Sequence, residues 1–346
     1  MPAEAPSTQL FCTTAPLVQH AWDNSSISLL KECARKYQLA IIEGWIPKDT
    51  APPLVFGGLL HRYLEAYDRH RLKGTDHYAS LSLVVAQALR ETVRRVNGLL
   101  LPDGGIREVP AGTEGAQETL IFWHGDNNRT RLTLVRSIIW YTEQFAIYDP
   151  LKTVRLQSGE AALEISFRFM LPLTSPDGDA FIYCGHIDKI CEFAGETFIQ
   201  ERKHTTSTLG QWYFIKYSID AQTSGYLTAG KVLIDKPVSG IIVDACQVAV
   251  TFTRVHRHIA PRTEAQLDEW LANTLEWISI AQGYALRYGN KPWPLNESSC
   301  HKYAGCQFRG VCSKDPSIRP MILQQHFLKK QWNPLEIRSG ADDWSS

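Results

Sequence analysis

Residues 181–205 read FIYCGHIDKICEFAGETFIQERKHT and predict a β-hairpin. Two β-rich runs flank an Ala-Gly pair, which favours a two-residue turn between antiparallel strands. With this turn, cross-strand partners share a constant index sum, so Asp188 lies directly opposite Glu201. Opposed side chains project from the same face of the sheet with their Cβ atoms about 5 Å apart. Lys203 lies on that face as well, because side-chain direction alternates along a strand.

Two opposed carboxylates and a nearby ammonium suggest a site for a divalent cation beside a phosphodiester. Mg²⁺ and Mn²⁺ prefer oxygen ligands and leave room for substrate. Such an ion lowers the pKa of a bound water and neutralises phosphate charge, while a lysine stabilises the transition-state oxygens. The alternative is a solvated hairpin whose acids face water. The apolar neighbours Ile187 and Ile190 favour the first interpretation, because opposed like charges in apolar strands need a cation.

The motif Gly185-x-x-Asp188 followed by Glu201-x-Lys203 resembles the signature of the PD-(D/E)XK nuclease superfamily, in its RecB-like branch. The resemblance covers residues 25–312 in pattern. It implies an α/β fold, the RecB-like core, in which a mixed central sheet is flanked by helices. It also implies that Asp188 and Glu201 contact a divalent metal, Mg²⁺ or Mn²⁺, and that Lys203 assists catalysis.

The RecB-like branch also has an upstream histidine and a downstream Gln-x-x-x-Tyr element. The candidates in this chain are His61, as a further metal ligand, and Gln222 with Tyr226, on a helix that lines the site. Residues four apart share one face of a helix, which is compatible with this role. His61 could instead pair with Glu65 on a surface helix. Glu164, in a strand-like run, is a candidate for an additional acid near the metal.

The cysteines give an independent signal. Three of the eight fall within thirteen residues, as Cys300-x5-Cys306-x5-Cys312. Disulfides are disfavoured because nothing in the sequence suggests secretion. Zinc is the common alternative, although its usual spacing is C-x2–4-C. Iron–sulphur clusters use four thiolates with more varied spacing, and one of them can be remote in sequence. The candidate for the fourth thiolate is Cys33.

The segment around Cys33, residues 25–37, resembles the N-terminal region of iron–sulphur RecB-like nucleases. In AddB-type nucleases and CRISPR-associated RecB-like exonucleases, one early cysteine precedes the catalytic motifs, and three late cysteines follow them as C-x2-C-x5-C. This chain departs from that spacing at the first late interval and is more similar to phage and prophage relatives. The resemblance implies a 4Fe–4S cluster that clasps the N-terminal segment to residues 300–312, with zinc as the alternative.

The composition limits the function classes. With 36 basic and 36 acidic residues, the zero net charge argues against indiscriminate nucleic-acid binding. Basic residues are grouped at 69–73, 129–136 and 254–262, either as solvated faces or as patches that steer a polyanion. Some aromatic residues could stack on the bases of single strands, although most are expected in the core.

No apolar run approaches the roughly 18 to 20 residues of a membrane span, and the N-terminus lacks a signal pattern, so a cytoplasmic protein without membrane contact is expected.

The pattern predicts a flexible N-terminus (1–24), one RecB-like nuclease domain (25–312) and a tail (313–346). Within the domain we expect a helical insertion at 66–150, the catalytic sheet and helix at 161–260, and the cysteine cluster at 300–312. The predicted helices are 25–42, 80–96, 127–148, 209–233 and 264–288, and the predicted strands are 161–173, 181–193, 197–203, 240–247 and 249–257. A Gly/Pro-rich loop is expected at 102–117.

These features predict a Mg²⁺- or Mn²⁺-dependent deoxyribonuclease, expected to act as an exonuclease on DNA that is single-stranded or has free ends. Its setting would be DNA recombination, repair or defence in bacteria or phage, with a helicase or a recombinase as partner. The alternative is a catalytically silent DNA-binding or assembly subunit of a recombination complex. The complete catalytic set argues against that alternative, because degenerate copies usually lose the lysine or an acid.

Overall fold

The hairpin of residues 181–205 is present in the computed structural model, which describes residues 8–102, 105–146, 148–156, 158–234, 236–302 and 305–336. The strands are β1 (Ala21–Trp22), β2 (Trp45–Pro47), β3 (Val93–Leu100), β4 (Ile106–Glu108), β5 (Gln117–Phe122), β6 (Lys152–Thr153), β7 (Leu163–Thr174), β8 (Ala180–Phe193), β9 (Glu196–Thr205), β10 (Val238–Val248), β11 (Thr253–Ala260) and β12 (Phe327–Lys329). The α-helices are α1 (Asn24–Glu32), α2 (Ala34–Tyr37), α3 (Pro52–Leu72), α4 (His77–Glu91), α5 (Arg131–Gln144), α6 (Gln211–Phe214), α7 (Ala221–Leu233), α8 (Glu264–Tyr288), α9 (Arg309–Cys312) and α10 (Arg319–His326). A π-helical turn (Gln38–Ile42) follows α2, and a 3-10 turn (Ile215–Ser218) follows α6.

Strands β8 and β9 confirm the predicted hairpin. They pair antiparallel from the turn as far as Lys189 with Gln200, with the index sum expected from the sequence. The turn residues Ala194 and Gly195 have φ angles of 53° and 84°. Positive angles at both central positions belong to the tight turns that match the twist of the flanking strands. Within the described residues, the ladder between β8 and β9 ends at Lys189 and Gln200, and the two strands separate there.

Strands β8 and β9 are neighbouring strands in a seven-stranded sheet. β8 pairs with β1 and β7 up to Lys189, whereas β9 runs parallel to β10 from Thr197 to Thr205. The main order is β1-β8-β9-β10-β11, with β6 and β7 also paired to β8. Parallel neighbours require a crossover connection, which α6 and α7 supply between β9 and β10. The sheet is therefore mixed, as expected.

Helices cover both faces of the sheet. Along β10, Ile241, Val243 and Ala245 belong to a core that includes residues of α1, α7 and α8. Cys246 and Val248, which point the other way, belong to a second core with residues of α3, α4 and α5. Alternate residues of one strand thus serve two helical layers. This arrangement confirms the predicted α/β class, a mixed sheet flanked by helices.

The N-terminal helix is interrupted at Cys33. Asp23 caps α1, since its side chain accepts hydrogen bonds from the backbone N–H groups of Ser25 and Ser26, which stabilises the helix start. The expectation of one helix over 25–42 is wrong, because Cys33 adopts extended angles (φ −166°, ψ 118°) between α1 and α2. Cys33 is therefore the joint between two helices rather than one position on a continuous helical face.

The insertion at 66–150 is only partly helical. Helices α3, α4 and α5 pack around the second core. Between α4 and α5, however, β3 pairs with β4 and β5 in a three-stranded antiparallel sheet. The expectation of a helix to residue 96 is wrong beyond Glu91, because the chain enters β3 at Val93. The loop expected at 102–117 contains β4, and its residues 103 and 104 lie outside the described residues.

Both ends of the described chain pack against the rest of the protein. The segment 1–24, expected to be flexible, includes the fully buried Trp22, which stacks on Tyr37 with ring centroids 5.7 Å apart. In the tail, β12 pairs with β2, and Trp332 Nε1 donates to Asp23 Oδ1 at 3.1 Å. Residues 1–7 and 337–346 lie outside the described residues. None of the described helices combines the length with the hydropathy that a membrane span requires.

Candidate metal centre

Three carboxylates form a row across the neighbouring strands β7, β8 and β9. Ladder pairs on both sides of Glu164 place it opposite Asp188. The next step of the β8–β9 register places Asp188 opposite Glu201. We refer to Glu164, Asp188 and Glu201 as the acidic row. The row lies where the ladder between β8 and β9 ends.

Glu164 has an unusual backbone conformation. Its φ angle is 48°, a value that is uncommon for a residue with a side chain. Such a conformation costs roughly 1–3 kcal/mol and persists where the surroundings impose it, often at functional sites. The sequence marked Glu164 only as an additional candidate, but the backbone here is held in the conformation that brings its carboxylate to Asp188.

His61 reaches the acidic row from α3. Its Nδ1 lies 3.3 Å from Asp188 Oδ1, whereas Glu65 pairs with Arg69 at 2.6 Å, so the alternative pairing of His61 with Glu65 is not what the structure shows. A Cβ on Gly57, one turn earlier, would lie 2.6 Å from the His204 ring. A side chain at position 57 would have to displace this ring, so the glycine lets α3 lie close to β9 here.

The ligand atoms that converge most closely come from His61, Glu164 and Asp188. All of them lie within 4.8 Å of one another. Glu201 completes the row but turns its Oε1 to the Lys203 ammonium at 2.5 Å. The structure therefore groups Glu164, rather than Glu201, with the other two expected ligands. Imidazole and carboxylate donors within this distance can hold one small cation.

Lys203 is held in place by the Gln-x-x-x-Tyr element. Its Nζ donates to Gln222 Oε1 at 2.7 Å, and Gln222 Nε2 donates to the Tyr226 hydroxyl at 2.8 Å. Both residues lie on α7, on one helical face as expected. The motif glycine, Gly185, leaves room for the Phe167 ring of β7, because a Cβ there would lie 2.9 Å from that ring.

The acidic row contains one strong acid and two weak ones. Burial alone would raise the pKa of Asp188, but His61, the backbone N–H of Arg202 and Lys203 lower it to about 2. Burial and the Asp188 charge raise the pKa of Glu164 to about 8. The same two causes raise the pKa of Glu201 to about 7, against the opposing effect of Lys203. His61 and Lys203 thus do not supply enough positive charge to keep all three acids ionised, and a divalent cation would supply the rest.

These pKa values predict that stability depends on pH and on metal. The folded protein holds the protons of Glu164 and Glu201 more tightly than the unfolded chain, whose glutamates titrate at about 4.3. This contribution is complete below about pH 4 and is lost as the pH rises to about 8. Mn²⁺ bound to the same oxygens removes the penalty, so it should raise Tm more at about pH 8 than at about pH 5.5. Thermal melts with and without Mn²⁺ measure the difference, and equal shifts at both pH values would contradict it.

A second charged cluster, which the sequence did not reveal, lies on the opposite side of β9. Arg202 donates its backbone N–H to Asp188 Oδ2 at 2.7 Å, and its guanidinium donates to Asp68 Oδ2 at 2.6 Å. The Lys189 ammonium lies 3.5 Å from the same Asp68 oxygen. Asp68 follows His61 on α3 by seven residues, two helical turns, so one face of α3 contacts both clusters. The seven-residue spacing of His61 and Asp68 was the sequence feature that could have indicated this cluster.

The predicted basic groups are partly used inside the protein. Arg257 pairs with Asp244 at 2.9 Å and with Asp149 at 2.7 Å. Arg136 donates to the carbonyl of Val250 at 2.7 Å. Arg254 and His256, by contrast, are exposed on β11. Only the exposed members of these groups are therefore available to a polyanion.

The four candidate cysteines line one small cavity, formed where α1 meets the segment before α9. They are Cys33, Cys300, Cys306 and Cys312, and none of them is in a disulfide. Zinc–sulphur bonds of about 2.3 Å in a tetrahedron place thiolates about 3.8 Å apart. Across the described part of the chain, no three of these sulphurs lie within 4.8 Å of one another. The spacing of the thiols is thus wider than a single zinc ion requires.

A comparison with known protein families bears on the fold. A model of the PD-(D/E)XK nuclease superfamily matches residues 22–313. No curated protein matches the sequence significantly.

Two solved structures are similar to this chain at low sequence identity. One is SSO0001, with 15% identity, a TM-score of 0.26 and coverage of 44% of this chain, which spans 59% of the length of SSO0001. Another is a protein from Eubacterium rectale described as a "putative exonuclease", with 8% identity, a TM-score of 0.43 and coverage of 82% of this chain and 88% of that one. The assignment of the family rests on the family model, which spans most of the sequence and includes the motifs of β8, β9 and α7. The chain belongs to the PD-(D/E)XK nuclease superfamily.

Proposed function

We propose that the protein is a Mg²⁺- or Mn²⁺-dependent deoxyribonuclease that hydrolyses phosphodiester bonds in DNA. The observation that carries the proposal is the convergence of His61, Glu164 and Asp188 to within 4.8 Å, beside Glu201 and Lys203. Oxygen-rich donors with one imidazole suit a hard divalent cation. Among the described residues, the buried Glu201 Oε2 has no hydrogen-bond partner, so it offers one more lone pair. The residues present therefore fit the cation that the family uses.

The residues of this chain divide the catalytic work. His61 and the acidic row would hold the cation, which supplies charge neutralisation at the phosphate and a more acidic bound water. Lys203 keeps its ammonium beside the reacting phosphate, where a fixed positive charge stabilises the oxygens that gain charge in the transition state. Its contacts with Glu201 and Gln222 orient that ammonium before the substrate arrives.

The RecB-like resemblance supports exonuclease action, in DNA recombination, repair or defence, with a helicase or recombinase as partner. Incubation of the protein with Mn²⁺ and equal amounts of linear and covalently closed circular DNA tests the proposal. We expect the linear DNA to be degraded from its ends while the circle persists. Cleavage of both forms at equal rates would contradict exonuclease action. Intact DNA of both forms would contradict the nuclease proposal as a whole.

We further propose that Cys33, Cys300, Cys306 and Cys312 hold a 4Fe–4S cluster. The convergence of the four thiols on one cavity supports it, and so do Lys36 and Arg309, cations in the cavity wall that would offset the negative charge of the ligated cluster. The cluster would fasten the joint between α1 and α2 to α9. Its role is structural, since the cavity is lined by different residues from the acidic row.

Protein purified without oxygen should contain about four iron and four sulphide per chain and be brown. Cys312→Ser should lose the iron and lower Tm, because the clasp between the two ends of the domain is lost. Cys12→Ser, a buried cysteine outside the cavity, is the matched control and should keep the iron. A colourless protein that contains zinc would overturn the iron–sulphur assignment.

A further inference from the structure

The connection between β9 and α7, which begins shortly after Lys203, exposes large apolar side chains. Trp212, Ile215 and Ile219 are 85%, 51% and 86% exposed. Trp212 lies on α6, Ile215 begins the 3-10 turn that follows it, and Ile219 comes directly after that turn, so the three residues belong to one short segment. We call these three residues the Trp212 face. Contiguous exposed apolar surface commonly marks an interaction site.

The Trp212 face stands on a rigid base. On the inner side of the same segment, the Phe214 ring lies 5.0 Å from the rings of both His256 and His258. The hydroxyls of Tyr213 and Tyr217 lie 3.3 Å apart and share a hydrogen bond. A platform that is already fixed loses little conformational entropy when a ligand binds to it.

Both ends of the segment are tied to the proposed catalytic residues. The segment begins after Lys203 and ends before Gln222, and the side chains of these two residues are hydrogen-bonded at 2.7 Å. Arg262 fastens the middle, because its guanidinium donates to the Tyr217 carbonyl and to Ser224 Oγ. The segment that carries the Trp212 face is therefore anchored at the proposed catalytic lysine.

One basic residue, Lys216, lies on the same segment as the Trp212 face and is exposed. The Lys216 ammonium lies 4.2 Å from the centre of the Tyr213 ring and 4.9 Å from that of Tyr217. Burial and the nearby Lys203 charge lower the pKa of Lys216. A polyanion near Lys203 and Lys216 would offset this repulsion between their ammonium groups.

We infer that the Trp212 face binds the unpaired bases of single-stranded DNA next to the scissile phosphate, with Lys216 on the adjoining backbone. The inference rests on the proposed nuclease function and names its substrate class. Aromatic side chains with neighbouring cations are the usual combination for single strands, since every base has a face that stacks. A paired duplex buries those faces and offers at most its terminal base. The positive charge of Lys216 and the anchoring of the segment at Lys203 favour this occupant over a protein partner.

The test measures binding rather than cleavage. Every variant carries Asp188→Asn, which we expect to silence cleavage, and binding of a labelled oligothymidylate and of a blunt hairpin duplex is compared. Trp212→Ala should weaken oligothymidylate binding about 5- to 150-fold, the range of one stacked base. It should change duplex binding less than about twofold. Trp212→Phe should retain most of the affinity, and Tyr78→Ala, which removes another exposed aromatic residue on α4, should retain all of it.

An abasic oligonucleotide completes the test. It should bind the Asp188→Asn parent less well than oligothymidylate, while the Trp212→Ala variant should not distinguish the two. Unchanged oligothymidylate binding by Trp212→Ala would overturn the inference and leave the face to a protein partner. If Trp212→Ala weakened the binding of the duplex and of oligothymidylate equally, stacking on unpaired bases would be contradicted as well. A parent protein that binds no DNA would contradict both the inference and the proposed function. If the wild type cleaves DNA but Trp212→Ala leaves oligothymidylate binding unchanged, only the inference is contradicted.

Discussion

Replacing Asp188 by asparagine is expected to reduce the rate of DNA cleavage to background. Asp188 is the one member of the acidic row whose pKa is held far below the others, at about 2, and it lies at the centre of the row. Lys203→Ala should reduce the rate about 100- to 1,000-fold, the usual effect of losing one preorganised transition-state contact. Single-turnover digestion of end-labelled linear DNA in Mn²⁺ measures both losses.

The control for these variants is Glu192→Gln. Glu192 lies on β8 as Asp188 does, four residues further on, but it is exposed and outside the acidic row. Its replacement should leave the cleavage rate within about twofold of wild type, because surface substitutions away from a site have small effects. If Asp188→Asn and Lys203→Ala, both shown by thermal melting to be folded, cleave DNA at the wild-type rate, the catalytic assignment is wrong.

Asp68→Ala is expected to destabilise the protein by roughly 3–5 kcal/mol, since it leaves buried cations without their acid. The side chains of Arg202 and Lys189 are only 5% and 4% exposed, and both contact Asp68. Urea unfolding of the wild type and the variant measures the change. Because Arg202 also donates to Asp188, the variant should lose metal affinity along with stability.

An exposed ion pair provides the comparison for Asp68→Ala. Arg95 and Glu118 pair at 2.5 Å between β3 and β5, with side chains 71% and 60% exposed. Glu118→Ala should cost less than about 1 kcal/mol, because water and salt screen such pairs. If Asp68→Ala and Glu118→Ala lowered the free energy of unfolding equally, the cluster of Asp68, Lys189 and Arg202 would not stabilise the fold.

Local sequence was sufficient to predict the elements whose signals are short-range. The Ala194-Gly195 turn set the β8–β9 register, and both residues adopt the positive φ angles that such a turn needs. Helix α8 has the bounds expected from its periodicity, and Thr263 with Gln266 forms a capping box at its start. In both cases the residues that determine the structure lie within a few positions of one another.

The small sheet of the insertion was missed because its contacts are distant in sequence. Residues 80–96 carry an apolar pattern compatible with one helix, but α4 ends at Glu91. The next strand, β3, gains its stability by pairing Val93 with Phe122, about thirty residues away. No local signal specifies such a partner, and tertiary pairing overrides helix propensity here.

The residues of the candidate site also fall into two groups, those predictable from local sequence and those positioned by contacts distant in sequence. Asp188, Glu201 and Lys203 could be predicted because one hairpin brings them together. The position of Glu164 depends on the β7–β8 register, which the sequence did not specify. Arg202 lies between two catalytic candidates but points to the opposite side of β9, and its partner Asp68 comes from α3. Its importance becomes visible only when the packing of that helix is known.

Anomalous diffraction from crystals soaked in Mn²⁺ tests the central claim, that the acidic row holds a divalent cation. The account predicts one strong manganese peak bounded by His61, Glu164 and Asp188, with Glu201 adjacent, and no such peak in crystals of Asp188→Asn. A peak elsewhere in the protein, or wild-type crystals that bind no manganese at the acidic row, would contradict it.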